Sequence, residues 1–266
     1  MKPPVYDEAW DAELVALWRH DMEEMWDPKR AIHMRNRYHN QLDIYLALAP
    51  APISGGPRLD IMDVGCAQAT LAMLLAERGH KVLAVDLREK FLEYARSRYT
   101  HGDIEFRVGN ALEMDVGRKF DLIYANQIIE HIVYPDQLVF GLKALLRPGG
   151  RLVVTTPSWH YLVNDLPSFS EIGDPQQYED KQFTADSDGH FFSYREEELL
   201  EIMKRQGLTY VQTRLFETPI ISGHLKMRYL HKVVPEKALR TLDRALLSTP
   251  ARRWVAHQLM VVGVNP

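Results

Sequence analysis

The feature that most constrains this chain is the run Leu59-Asp-Ile-Met-Asp-Val-Gly65-Cys-Ala-Gln-Ala-Thr70. A short apolar β-like stretch meets a glycine and passes directly into helix-forming residues, which reads as strand, tight turn and helix start. Residues 81–85 then read as a second strand, closed by Asp86. The pattern continues: strands over 104–108, 120–125 and 151–155 alternate with helices over 69–78, 89–99 and 135–146. Gly79 stops the first of these helices and Pro148-Gly149-Gly150 follows the last. Strands and helices alternating at this spacing imply parallel βαβ units. In such a sheet ligands sit beyond the carboxyl ends of the strands, so the strand-end residues are the ones to examine.

The flanks read differently. Trp10, Leu14, Leu17, Trp18, Met25 and Trp26 recur at helical spacings, and a second helical pattern covers 31–48 before a Pro/Gly-rich loop at 50–57. The three tryptophans are read as a packed helix face rather than a binding mouth. Residues 1–56 are therefore expected to form a helical cap, and 57–266 the main domain with insertions at 157–190 and 219–253. Residues 157–189 carry no strong period but do carry Trp159, Tyr161, Phe169, Tyr178 and Phe183. A structureless stretch of that length inside a compact domain is usually functional. Ser193 is expected to cap a helix over 196–205, with Glu196 completing a capping box. Strands are expected over 208–216 and 254–264, with a helical excursion between them.

The net charge of −4 argues against a general nucleic-acid binder, and no nucleic-acid partner is expected. Cys66 is the single cysteine, which excludes an internal disulfide and a multi-cysteine zinc site. The N-terminus lacks the charged-then-apolar pattern of a signal peptide, and no apolar run approaches the roughly 20 residues of a spanning helix. The chain reads as cytoplasmic.

Gly65, without a Cβ, lets the backbone pass close to a ligand, and the helix start beyond it offers free amides and a positive dipole end to an anion. Asp86, at the end of the next strand, can accept hydrogen bonds from ribose hydroxyls, as acids do in other nucleoside-binding α/β folds.

At these residues the chain resembles class I S-adenosylmethionine-dependent methyltransferases. Asp63-Val-Gly65-Cys66-Ala67-Gln-Ala69 is similar to the first motif of that family, and Asp86 to its ribose-binding acid. Gly109-Asn110-Ala111-Leu112 resembles the segment that brackets adenine. Phe120 to Asn126, followed by Glu130-His131 and Pro135-Asp136, is similar to the fourth motif, and Leu145 to Leu152 to the turn before the fifth strand. Gly189-His190-Phe-Phe-Ser193-Tyr-Arg-Glu is seen in the small-molecule, ubiquinone-biosynthesis-like branch. The resemblance implies a Rossmann-like α/β fold: a mostly parallel seven-stranded sheet, helices on both faces, an N-terminal helical cap and a helical insertion before the last strand. It implies S-adenosylmethionine as cofactor, held by Asp63, Gly65, Cys66, Ala67, Asp86, Leu87, Asn110, Ala111, Leu112 and Asn126.

One departure stands out. The family's turn carries two or three glycines; here only Gly65 remains, and Ala67 and Ala69 take the other places. Alanine allows close approach but disfavours positive φ. The same departure argues against an NAD-binding G-x-G-x-x-G turn. Asp63 either approaches the cofactor's ammonium group or only fixes the turn. Asn110 either meets adenine or only forms a turn. Cys66 is read as a small filler.

His131 and His190 are the candidate catalytic residues, since a histidine suits acceptance of a hydroxyl proton near neutral pH. Glu130-His131 raises the question of a metal, but no third donor stands at a fitting sequence spacing, and no metal is expected. Methyl transfer needs mainly an in-line nucleophile and exclusion of water. The expected reaction is O-methylation of a small-molecule or lipid-linked intermediate. N-methylation of an amino sugar or metabolite, a non-catalytic scaffold and an RNA methyltransferase are the rivals. Residues 223–253 hold Lys226, Arg228, Lys232, Lys237, Arg240, Arg244, Arg252 and Arg253 against Glu236 and Asp243. This is either a solvated face or a basic cap that meets an anionic substrate or a membrane surface.

Overall fold

The computed structural model describes residues 2–52, 55–181, 190 and 192–266. Its strands are β1 (Asp60–Val64), β2 (Lys81–Asp86), β3 (Asp103–Val108), β4 (Phe120–Asn126), β5 (Leu146–Pro157), β6 (Thr209–Phe216) and β7 (Gln258–Val264). They form one seven-stranded sheet in the order β3-β2-β1-β4-β5-β7-β6. The first five pair in parallel, and β7 runs antiparallel between β5 and β6. This is the mostly parallel seven-stranded sheet that the resemblance implied, with the parallel part expected from the alternation. The strand order reverses direction between β1 and β4, and the crevice at such a switch point is where an open α/β sheet binds ligands.

The helices are α1 (Ala12–Asp21), α2 (Pro28–Leu46), α3 (Thr70–Glu77), α4 (Glu89–Arg98), α5 (Pro135–Ala144), α6 (Glu196–Arg205), α7 (Pro219–Ser222), α8 (Glu236–Leu247) and α9 (Arg252–Val255). Strands β1 and β2 are buried almost end to end, because helices cover both faces of the sheet. On one face Ile61, Val82 and Tyr124 pack with Leu71 and Leu75 of α3 and with Leu42 and Tyr45 of α2. On the other, Met62, Leu83, Ile123 and Val154 pack with Val139 and Leu142 of α5 and Leu199 of α6.

The N-terminal helices are tied to this body by buried polar bonds. Asp21, 1% exposed, pairs with the buried Arg98 of α4 and accepts from the Tyr94 hydroxyl at 2.8 Å and from the Trp26 indole at 3.3 Å. Trp10 meets Tyr94 edge-on at 5.7 Å, and Trp18 lies against Tyr6 at 5.2 Å. The tryptophans are packing residues, as their spacing indicated.

Two local expectations change. Helix α6 begins at Glu196 with Arg195 at the cap, whose amide donates to Glu198 at 2.7 Å. Ser193 lies too far ahead to cap it; its backbone pairs with Ser168 instead. Residues 254–255 are not strand: they close α9, with the Trp254 amide bonded to Ala251 O at 2.9 Å, and the strand starts at Gln258. The segment after β5 forms short 3-10 turns at Phe169–Glu171 and Pro175–Lys181, while Phe183 and Gly189 lie outside the described residues. Among the described residues no helix is long and apolar enough to cross a membrane.

Candidate active site

The site starts from the turn after β1. Gly65 has φ +63°, and a Cβ there would sit 2.5 Å from Ile128 Cγ2, so only glycine fits. Ala67 and Ala69 follow with φ of +47° and +54°, the left-handed region that alanine disfavours. They are held there. The Cys66 amide bonds to Val85 O at 3.1 Å, the Ala69 amide to Cys66 O at 2.8 Å, and the Ala67 amide to Asp86 Oδ2 at 2.8 Å. The two alanines thus take the left-handed conformations that glycine would adopt without strain. Ala69 caps α3 without a side-chain hydrogen bond, and the Ala72 amide in the first turn of that helix bonds to the buried Asp63.

Asp86 ends β2 and is 4% exposed. Its other oxygen accepts from the Arg88 amide at 2.9 Å. Burial raises its carboxyl above the ordinary range, against the pull of these amides. Asp63, one strand over, is fully buried, and burial together with the Asp86 charge pushes it up to about 7.

The ends of β1 and β2 and the loops after β3 and β4 enclose a cavity of about 390 Å³. Gly65, Asp86, Leu87, Asn110, Ala111 and Leu112 all line it, joined by Ile128 and Ile132. Six residues singled out by sequence thus converge on one cavity. Asp63, Cys66, Ala67 and Asn126 do not line it. Asp63 is inside β1, Cys66 and Ala67 form the turn behind, and Asn126, the last residue of β4, accepts from the Thr155 hydroxyl at 3.1 Å. Asn110 does form a turn: its Oδ1 accepts from the Leu112 amide at 3.0 Å and its amide nitrogen donates to Glu113 at 2.8 Å.

Between Ile128 and Ile132 the chain makes a 3-10 turn, Ile129–His131, along the rim of this cavity. Glu130 is fully buried, neither carboxylate oxygen has a hydrogen-bond partner among the described residues, and burial pushes its carboxyl up to about 8. The His131 ring meets the His190 ring edge-on at 4.5 Å. One donor atom from each of Glu130, His131 and His190 lies within 4.8 Å of the others. No third donor stands at a fitting sequence spacing, and the fold brings His190 to Glu130 and His131 from ahead of α6, far along the chain.

A second polar group was not visible in sequence. Glu217, after β6, is fully buried and pairs with Arg37 of α2, while Gln41 donates to it at 2.8 Å. Burial is the largest influence and opposes its ionisation, but the Arg37 charge together with the hydrogen bonds of His257 and Gln41 outweighs it and keeps the carboxyl below the ordinary range. Arg37 also reaches His257 Nδ1 at 3.2 Å, Gln258 donates to the same nitrogen at 2.9 Å, and Gln127 donates to Gln258 at 2.8 Å. This line of bonds runs from the loop after β4 to α2. Its members come from distant segments, and the only hint in sequence is an acid that follows a strand.

A family model described as a methyltransferase domain matches residues 19–213. A ubiquinone biosynthesis O-methyltransferase of Leptothrix cholodnii is 26% identical over 216 residues, 78% of this chain and 87% of the relative. Another from Xylella fastidiosa is 32% identical over 142 residues, 49% of this chain and about half (53%) of the relative. Among solved structures, an S-adenosylmethionine-dependent methyltransferase from Archaeoglobus fulgidus superposes with a TM-score of 0.56 at 15% identity, over 93% of this chain and 99% of that one. The magnesium protoporphyrin IX methyltransferase of Synechocystis, solved with S-adenosylhomocysteine, gives 0.57 at 15% identity, over 96% and 95%. The motif order, the cavity at the sheet's switch point and the family match agree: the chain belongs to the methyltransferase-domain family and is a class I S-adenosylmethionine-dependent methyltransferase.

Proposed function

We propose that this enzyme methylates an oxygen of a small-molecule, lipid-linked acceptor. The observation that carries the reading is the convergence of Gly65, Asp86, Asn110, Ala111 and Leu112 on one cavity, with Glu130 and His131 on the turn between its lining residues Ile128 and Ile132. The cofactor supplies a methyl group made electrophilic by its sulfonium. This chain's residues do the rest. Gly65 admits the ligand against the backbone, with Cys66 and Ala67 continuing the turn. The leading amides of α3 meet its carboxylate, and Asp63 fixes the turn beneath it by accepting from the Ala72 amide. Asp86 retains lone pairs beyond the Ala67 and Arg88 amides and accepts from the ribose hydroxyls. Leu87, Ala111 and Leu112 offer an apolar bracket to adenine beside Asn110. Asn126 borders the transfer point through its bond with Thr155. His131 and His190 ease removal of the acceptor's proton.

Oxygen rather than nitrogen is supported by the two ubiquinone biosynthesis O-methyltransferases that the chain resembles. A lipid-linked acceptor is supported by the segment before α8. There Leu225, Tyr229 and Val233 are 54%, 54% and 78% exposed, beside Lys226, Arg228 and Lys232. Apolar side chains interleaved with cations suit a peripheral lipid surface.

The test is methyl transfer from labelled cofactor to a prenylated phenol and to the matching aniline. Labelling of the phenol is expected. Labelling of the aniline alone, or of neither, overturns the reading.

A further inference from the structure

Three side-chain groups next to the cofactor cavity have chemistry that methyl transfer by itself does not demand. Glu130 is the sharpest case. Burying a carboxylate without partners costs several kcal/mol as an order of magnitude, and proteins offset it with a hydrogen bond, an opposite charge or a metal. Glu130 is 0% exposed and neither oxygen is hydrogen-bonded among the described residues. Two imidazoles flank it, His131 at 7% exposure on the same turn and the exposed His190 from ahead of α6. The donor atoms of all three lie within 4.8 Å of one another.

We infer that Glu130, His131 and His190 form a binding site for one divalent transition-metal ion. The donor set sets the class. Two imidazole nitrogens and one carboxylate suit Zn²⁺, Mn²⁺ or Fe²⁺, whereas magnesium and calcium prefer all-oxygen shells. Three protein ligands leave coordination positions open, the arrangement of sites that act on a bound molecule rather than hold a fold together. His190 is exposed, so the ion has a route in from solvent. The site borders the cavity through Ile128 and Ile132, on either side of the turn that carries Glu130 and His131.

The site deepens the proposed oxygen methylation and, for its role, rests on that reading: a cation there favours the deprotonated form of an acceptor oxygen. The histidines then serve as ligands, not as bases. Sequence spacing hides such a site because the third donor is brought in by tertiary folding.

The test needs neither methyl donor nor acceptor. The metal-free protein is titrated with Co²⁺, read by its visible d–d absorption, then with Zn²⁺ in competition. One equivalent of Co²⁺ is expected, displaced by Zn²⁺. Glu130→Gln and His190→Ala should each weaken binding by at least about tenfold, the lower bound seen even for groups that only support metal ligands. His190→Ala alters an exposed side chain, so it keeps the test valid if Glu130→Gln fails to fold. Absence of Co²⁺ absorption in the wild type, or unchanged binding in folded His190→Ala, overturns the site. Binding of S-adenosylhomocysteine, measured on the same samples, reports on the cofactor cavity separately.

Discussion

The Ala67 amide donates to Asp86 Oδ2 at 2.8 Å, so the turn after β1 and the end of β2 are joined through the acid proposed to accept from the cofactor's ribose. The bond does two things. It holds a left-handed alanine in place, and it fixes the carboxylate before any ligand arrives. Both effects can be measured.

Asp86→Ala should weaken binding of S-adenosylhomocysteine. Hydrogen bonds to a charged group contribute about 1.5–3 kcal/mol each, so loss of one or two predicts at least a tenfold drop. Titration calorimetry on wild type and variant measures it; equal affinities would remove Asp86 from the ribose role.

Ala69→Gly should stabilise the protein. Left-handed backbone costs a residue with a Cβ about 1–2 kcal/mol, and glycine avoids that at φ +54° while adding some freedom to the unfolded chain. A gain of a few tenths to about 1 kcal/mol is expected in urea unfolding. A clear loss would mean that the Ala69 methyl, 0% exposed, contributes more packing than the strain it carries.

Asp63 predicts a pH dependence. Its carboxyl stands at about 7 in the fold and at 3.8 without its surroundings, so the folded state keeps a proton that the unfolded state gives up. Stability from this group is full below the lower value, declines as pH rises through the interval and levels off above about 7, a change of a few kcal/mol in all. Asp63→Asn should flatten the decline between those limits. Unfolding free energies across the interval, identical in slope for both proteins, would contradict it.

Asp21→Ala should cost about 3–5 kcal/mol, because it strands the buried Arg98 guanidinium and the Tyr94 hydroxyl together. Asp21→Ala with Arg98→Met should recover part of the loss, since replacing both charges removes the unpaired one. Thermal unfolding of the single and double variants decides; equal losses would show that the pair is not the tether of the N-terminal helices.

Reversing the charges of Lys226, Arg228 and Lys232 should reduce flotation with anionic vesicles, with the effect fading in high salt as the screening length falls to roughly 3 Å at 1 M. Cofactor binding should be unchanged. Retained flotation would leave this face as ordinary surface.

Much of this molecule is legible along the chain. The alternation of short apolar runs with helical stretches determines a parallel sheet, because βαβ units are local and a strand buried on both faces must be apolar throughout. Gly65 and Asp86 could be read as ligand-facing because they stand where a strand ends, and parallel strands deliver their ends to one side; the Asn110–Leu112 segment is legible through its resemblance to the family. What lies between distant segments could not be read. That α2 sends Arg37 and Gln41 to Glu217, or that His190 returns to Glu130 and His131, depends on how helices and loops pack over the sheet. The period of a sequence reports which face a residue takes, not which remote residue it meets there. The sequence alone therefore determined the sheet and the residues at its strand ends, while tertiary packing decided which remote side chains come together beside the cavity.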